Sequence, residues 1–598
     1  MTMAASPLAN SDGVVNYSIS ADGSALKESI NVLLIEVNTG VNQVPMARFV
    51  VSDGDMPDKD FPVSTEACFK PGTKIVIKAG YASEAKVIFS GIIIGLGISI
   101  GRNNDSNLIV ECKDQCVAMT IARKSANYVK QKDSQIIETI IGQYGSLSSQ
   151  VTATESQYSE LVQFNCTDWD FILARAEVNA YLVCVDAAKV TVAPPNVSDA
   201  SVLTVTYGED LIDFQADIDA RYQLSSVKSV CWDPSEQTSQ EQEVASQSLN
   251  QQGDLSAKDL ASTLSVDDFR LQSGNNMDTA SLKAWAKGQQ VKSGLARIRG
   301  KMTFQGNAAA KINTQIDVQG VGSRFNGAVF VSRVRHEIVD GQWLTDIEFG
   351  MSPAWSSEYR DITAPPASGV LPAVEGLQIG IVMQLDGDPI GQNRIQVNVP
   401  VMQAKTPGVW ARLASFYASK EIGSFFLPEV GDEVVLGYFN NNPSEPVILG
   451  SLYSSKNPPP YEIAADNDTK AIVTRSKLKL EFNEKDKVIT IITPGNNQIV
   501  FSDKDKSILL QDQNNNKVEL NSSGISLDSP KDIKLSAKGS MTLDAVGAMT
   551  ISSKADVKIN GMNIQQTAQI GFTAKGSASA ELSASGQTTV KGAMVMIN

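Results

Sequence analysis

Residues 525–559 constrain this chain more than any other stretch, because their apolar side chains recur on a fixed ruler. Ile525/Leu527, Ile533/Leu535, Met541/Leu543, Met549/Ile551 and Val557/Ile559 form five pairs, each two residues apart and each eight residues after the last. Apolar residues at i and i+2 share one face of a strand, while their neighbours point the other way. Eight residues hold a strand of five or six, roughly 18 Å at about 3.3 Å per residue, and a bend. One short face results per repeat. A single-chain solenoid closes its core with two or three faces per coil, which needs about 20 residues or more. An eight-residue unit therefore hides its apolar rows by wrapping around other copies, one chain per face, and three faces make the smallest prism. The pattern predicts an intertwined homotrimeric β-helix. The competing arrangement is a flat antiparallel meander of short hairpins; the lack of Asn-Gly or Asp-Gly turns between the pairs counts against it.

At 598 residues the chain has room for about three to five domains. Its 42% hydrophobic and 20% charged fractions are those of a soluble protein, and no run of about 18 apolar residues marks a membrane span. Residues 1–11 carry neither a basic region nor an apolar core, so no cleaved secretory signal is expected, and export would depend on other machinery. A net charge of −15 argues against nucleic acid as a partner, since phosphate binding needs clustered cations. The cysteines, Cys68, Cys112, Cys116, Cys166, Cys184 and Cys231, are expected as free buried thiols rather than a disulfide framework. Cys112 and Cys116 lack the second Cys/His pair of a zinc site, so neither a metal nor a cofactor is expected.

Residues 32–37, 46–51, 74–77, 86–100 and 108–112 read as strands of a β-barrel or sandwich. Gly91, Gly95, Gly97 and Gly101 suit bent barrel strands better than a phosphate loop, because no helix follows them. Helices are expected over 133–143 and 168–179, the second capped by Thr167 or Asp168 and presenting Trp169, Ile172, Leu173 and Ala176 on one face. Residues 235–252 are Gln/Ser-rich and read as a loop or linker. A helix over 279–296 leads into a second strand set at 301–304, 315–318, 327–337 and 343–349, and the prolines of 364–372 mark the next linker. Strands at 381–385, 394–399, 408–413, 423–427, 433–439 and 447–452 fit a small closed barrel such as an OB-fold. Beyond Pro458, Pro459 and Pro460, pairs such as Leu478/Leu480, Ile499/Phe501 and Val518/Leu520 recur at a looser period before the octad begins.

The run from Gly423-Ser-Phe-Phe-Leu-Pro-Glu-Val-Gly-Asp to Tyr438, with Asn442-Pro-Ser-Glu-Pro-Val-Ile-Leu-Gly-Ser-Leu-Tyr453, resembles the VgrG-type spike proteins of contractile injection systems. Asp388-Pro-Ile-Gly391 and Arg394-Ile-Gln-Val397 match the opening of the same unit. Upstream, Asp168-Trp-Asp-Phe to Ala180, Phe325-Asn-Gly327, Val334-Arg-His336 and Gly341-Gln-Trp-Leu-Thr345 resemble the family's hub. Val51-Ser-Asp-Gly-Asp55, Phe69-Lys-Pro-Gly72 and Phe89-Ser-Gly91 look most like the extracellular, phage-derived type. The resemblance implies a mainly β chain. A first hub barrel with an αβ insertion would span 1–233, a Gln/Ser-rich linker or loop 234–262, a second hub barrel 263–363, the OB-fold 373–455 and the trimeric β-helix needle 456–598. It further implies a homotrimer assembled in the cytoplasm as part of a phage tail-like particle. The inner tube and baseplate would sit at its hub end and a PAAR-like tip protein at its C-terminal end. Effector cargo would be carried, and the target membrane met only during puncturing.

Catalysis would have to use His336, the one histidine, and its strand-like surroundings point to a packed or surface side chain rather than a general base. Residues 53–60 and 512–517 are rich in Asp and Asn but lack the Gly at loop position six and the terminal Glu of a calcium loop, and read as turns. The chain is expected not to be an enzyme; the alternative is a spike-borne cell-wall hydrolase. At the C-terminus Met594, Val595, Met596 and Ile597 form an apolar run. Tripled at a blunt tip it would be a binding platform, the expected seat of the tip partner; equally, it could be the last turn of the shaft.

Overall fold

The computed structural model describes every residue except 1–3, 11, 12, 83, 103, 104, 248, 266, 267, 360, 361, 404, 406 and 598. Part of the N-terminal stretch scanned for a signal therefore lies outside the described residues. Strands dominate, and the chain divides into two units, Met1–Leu452 and Tyr453–Asn598.

Thirteen of the first unit's strands join one sheet. The hub was expected as two barrels. One continuous sheet lines two apolar cores, one around Phe49, Ile75, Ile77 and Leu108, the other around Phe304, Ile316, Val329 and Ile347. The strand Gly327–Val339 makes the join. Its first part pairs with Gln315–Gln319, its later part with Val32–Gly40, and its other edge with Gln342–Phe349. At about 3.3 Å per residue, 13 residues reach roughly 43 Å, longer than the wall of one small barrel. Close packing holds the two parts together: a Cβ on Gly306 would lie 2.0 Å from the Trp343 ring. Gly91, Gly95 and Gly97 sit within the 15-residue strand Lys86–Ile100, which bulges between Ile93 and Gly95.

The αβ insertion packs the helices Asp133–Gly142 and Asp168–Val178 on a small sheet of Ser148–Val151, Leu182–Asp186 and Lys189–Ala193. Thr167 is the cap: its hydroxyl accepts from Asp170 N at 3.1 Å. Buried charge here is satisfied. Asp133 accepts from Arg175 at 2.7 and 2.9 Å and from Asn179 at 2.7 Å. Burial alone would raise the Asp168 carboxyl, but hydrogen bonds from Gln163, Lys124 and Tyr144 outweigh it and hold the group below the usual carboxylate range.

Residues 234–262, expected as a linker, instead contain the strand Thr238–Ala245 and the start of the helix Ala257–Thr263. All eight residues of Thr238–Ala245 pair with Ser226–Asp233, in a three-stranded sheet backed by the helix Thr279–Leu295. Polarity hides this strand from a sequence reading. Only Val244 is buried, so the neighbouring ladder and the helix supply the stability, not the strand's own apolar content.

Five strands, Gln378–Gln384, Ile395–Asn398, Val409–Leu413, Glu433–Tyr438 and Pro446–Ser451, close a barrel around Val382, Val397, Val434 and Leu436. A sixth strand was expected over 423–427. The chain there pairs only as the two-rung hairpin of Ala418–Ser419 with Ile422–Gly423. Phe425 and Phe426 are neighbours, so no strand could bury both on one face.

In the second unit seven five-residue strands, from Thr469–Val473 to Gly524–Asp528, form an antiparallel meander in chain order. The span expected as a β-helix needle from 456 thus begins as the meander considered for the octad. The connecting turns carry left-handed residues at Lys477, Lys487, Asn496, Lys506, Asn515 and Gly524, which reverse the chain tightly. After Asp528 no strand of the same chain pairs with the octad among the described residues.

Candidate functional site

His336 is 5% exposed, its Nδ1 3.0 Å from the Thr345 hydroxyl and its ring tilted on Trp343, where two strands flank it. Burial depresses its pKa to about 4, so it is neutral at pH 7 and enclosed. All six cysteines are free thiols; burial pushes Cys112 and Cys184 up to about 12, away from the reactive thiolate. In the loop read as a turn at 53–60, the Asp53 carboxylate accepts from the N–H groups of Gly54, Val63 and Ser64. Among the described residues no group of three or more His, Cys, Asp or Glu is placed to hold a metal ion. A cleft of about 800 Å³ in the hub is lined by two ion pairs, Lys292 with Glu177 at 2.7 Å and Arg333 with Glu348 at 3.1 Å, together with Asp170, Asp217, Arg299 and Lys301.

The second unit leaves an extended apolar surface open. The meander's register stacks Leu480, Ile491, Ile499, Leu510, Val518 and Leu527 in one column across the strands. Phe482, Ile489, Phe501, Ile508, Leu520 and Ile525 form a second column, two residues along each strand and so on the same face. The other face receives the chain's own upstream segment: Tyr461 donates to Glu481, whose carboxylate also takes Lys479 at 2.8 Å. The two columns stay partly open, Ile491 at 45% and Phe501 at 43% exposure. The octad continues the same i, i+2 pairing and is more open still, from 53% at Met541 to 75% at Ile525. Met594, Val595, Met596 and Ile597 are exposed in an irregular stretch and are not joined to a strand of the same chain among the described residues. The sequence reading took the pairs at 478–520 as a loose continuation of the repeat; the change in spacing was the signal of hairpins.

Residues 11–340 match the family described as the Alg8 N-terminal domain. Residues 378–453, the closed barrel, match the type VI secretion system/phage-baseplate injector OB domain. The type VI secretion system spike protein VgrG5 of Pseudomonas aeruginosa is 32% identical over 125 residues, 20% of this chain and 15% of that protein. VgrG3 of Vibrio cholerae serotype O1 is 30% identical over 109 residues, 17% of this chain and 11% of that protein. The chain thus matches a small fraction of the length of these curated relatives. The 43 kDa tail protein of prophage MuSo2 from Shewanella oneidensis, a solved structure, has a TM-score of 0.42 at 12% identity over 57% of this chain and 98% of that one. With over half its length in the first family and its barrel in the injector OB domain, the chain belongs to the Alg8 N-terminal domain family and is a spike protein of the VgrG type.

Proposed function

We propose that the protein is the homotrimeric, non-enzymatic central spike of a contractile injection system. Its hub end joins the inner tube and baseplate, and its C-terminal needle breaches the target envelope and presents a tip protein or cargo. It is assembled in the cytoplasm into a phage tail-like particle and meets the target membrane only on firing. The observation that carries this reading is the uncovered apolar surface of the second unit. Each octad side chain, half to three-quarters exposed in the single chain, gains on the order of 1–2 kcal/mol when covered. The eight-residue repeat supplies only one face per chain, so identical copies are the natural cover. The needle's stiffness then comes from lateral backbone pairing and a dry interior. Met594, Val595, Met596 and Ile597 are the proposed seat of a PAAR-like tip protein.

Light scattering on the purified protein tests the assembly: three times the 64.1 kDa chain mass is expected, and a stable monomer at working concentration would overturn it. Replacing Met594 and Met596 by Ser should weaken capture of a purified PAAR-like protein and leave the molar mass unchanged. Cell-wall suspensions should stay turbid with the protein; clearing would favour a spike-borne hydrolase instead. One similar protein, from Vibrio cholerae, is named an actin cross-linking toxin, an activity that belongs to that protein.

A further inference from the structure

The closed barrel carries two apolar surfaces that its own core leaves unused. The first is the excursion between Val409–Leu413 and Glu433–Tyr438. It leaves the barrel wall, and its neck is tied by Ser424 N donating to Tyr417 O at 2.9 Å and by the Ser415 and Ser424 hydroxyls, 2.6 Å apart. Beside this neck Phe416, Tyr417, Phe425 and Phe426 are 89%, 54%, 83% and 63% exposed. The second surface runs along Gln378–Gln384, where Leu377, Ile379 and Met383 are exposed while Val382 fills the core. Outward positions of a small antiparallel barrel ordinarily carry polar side chains.

The amount of surface points to a partner. At about 200 Å² per aromatic side chain, the four rings expose roughly 600 Å², the upper end of what a monomer leaves in its largest patch. Joined to the second surface of another copy, the arm would bury roughly 850 Å² in total per contact, about half of a standard interface, and a closed ring of three repeats that contact three times. Geometry narrows the partner further. In a three-fold ring every contact is heterologous, so each copy needs two different complementary surfaces. The arm and the stripe are such a pair, and neither covers the other in its own chain. The arm's turn bears Lys420 and Glu421, one charge of each sign, so it does not repel a second copy.

We propose that the aromatic arm of one copy packs on the Leu377, Ile379 and Met383 stripe of the next, closing a ring of three barrels. This rests on the trimeric reading and assigns that assembly a contact outside the needle. The test places a photo-reactive phenylalanine analogue at Phe425 in the full chain and, separately, at Ile533. Illumination of the Phe425 form should give products of two and three chain masses, with Phe425 joined to the peptide containing residues 377–383. Interchain product from Ile533 but none from Phe425 would overturn the arm's role and leave the trimer standing. Product from Phe425 that maps elsewhere on the partner copy would overturn the stripe. The absence of interchain product from both positions would remove the trimeric reading and this contact together.

Discussion

The strand Lys74–Tyr81 and the octad obey the same spacing and end in opposite environments. Ile75, Ile77 and Ala79 are 0% exposed, whereas Ile533 and Leu535 are 56% and 65% exposed. The difference lies in what each face can fold onto. The hub strand belongs to a sheet whose other strands bring Phe49 and Leu108, and whose preceding loop brings Phe69, into the same core. Each octad unit offers one short apolar face and has no wall of its own in the single chain. Alternation thus specifies a face to be covered and is silent about the cover.

The sharpest way to break this comparison is to place a charge on each apolar face. Leu543→Asp changes a side chain that is 69% exposed in the single chain. If the chain worked alone, the effect would stay within about 0.5 kcal/mol. In a trimer three carboxylates would meet in a dry interior at several kcal/mol each, so light scattering should show loss of the three-chain mass. In the hub, Phe304→Ala removes a fully buried ring and should cost about 3–5 kcal/mol. Denaturant unfolding followed by a hub probe would read this, with the three-chain mass retained below the transition.

A smaller effect is tied to pH. The folded hub holds His336 at about 4, against 6.5 for an unperturbed ring. Between these values the unfolded chain binds a proton that the folded hub refuses. The associated stability is fully present above pH 6.5 and declines as pH falls through the window to 4, by about 3 kcal/mol in all. In His336→Asn this part of the slope should vanish in unfolding measured across pH 4 to 7. Smallest is Thr167→Ala, which removes the hydroxyl that accepts from Asp170 N and should cost about 1 kcal/mol. A loss confined to the helix Asp168–Val178 by hydrogen exchange would mark it as local.

Legibility followed where the stabilising partner lies in the sequence. The helix Asp168–Val178 was readable because its cap and its apolar face sit within one segment. The barrel strands were readable because each carries its own alternation. Thr238–Ala245 was not, since its pairing comes from Ser226–Asp233 and its burial from a helix some 40 residues on. The aromatic arm was misread as a strand, although two adjacent rings already argued against one. At the candidate site, the octad and the run from Met594 to Ile597 could be picked out by spacing and composition alone. The two columns of the meander could not, because a column is a property of register, and register is set by turns whose left-handed residues are Lys or Asn everywhere but at Gly524.

By itself, then, the sequence determined which residues alternate, where helices begin, and that an eight-residue unit cannot enclose its own apolar rows. These are consequences of backbone period and side-chain type, both local. Only the tertiary structure decided that the hub is one continuous sheet around two cores, that a Gln-rich stretch is a paired strand, and that the needle span opens as a meander with one apolar face. Each of those depends on which distant strand supplies the hydrogen bonds, and the free energy of that choice is shared between segments far apart in the chain.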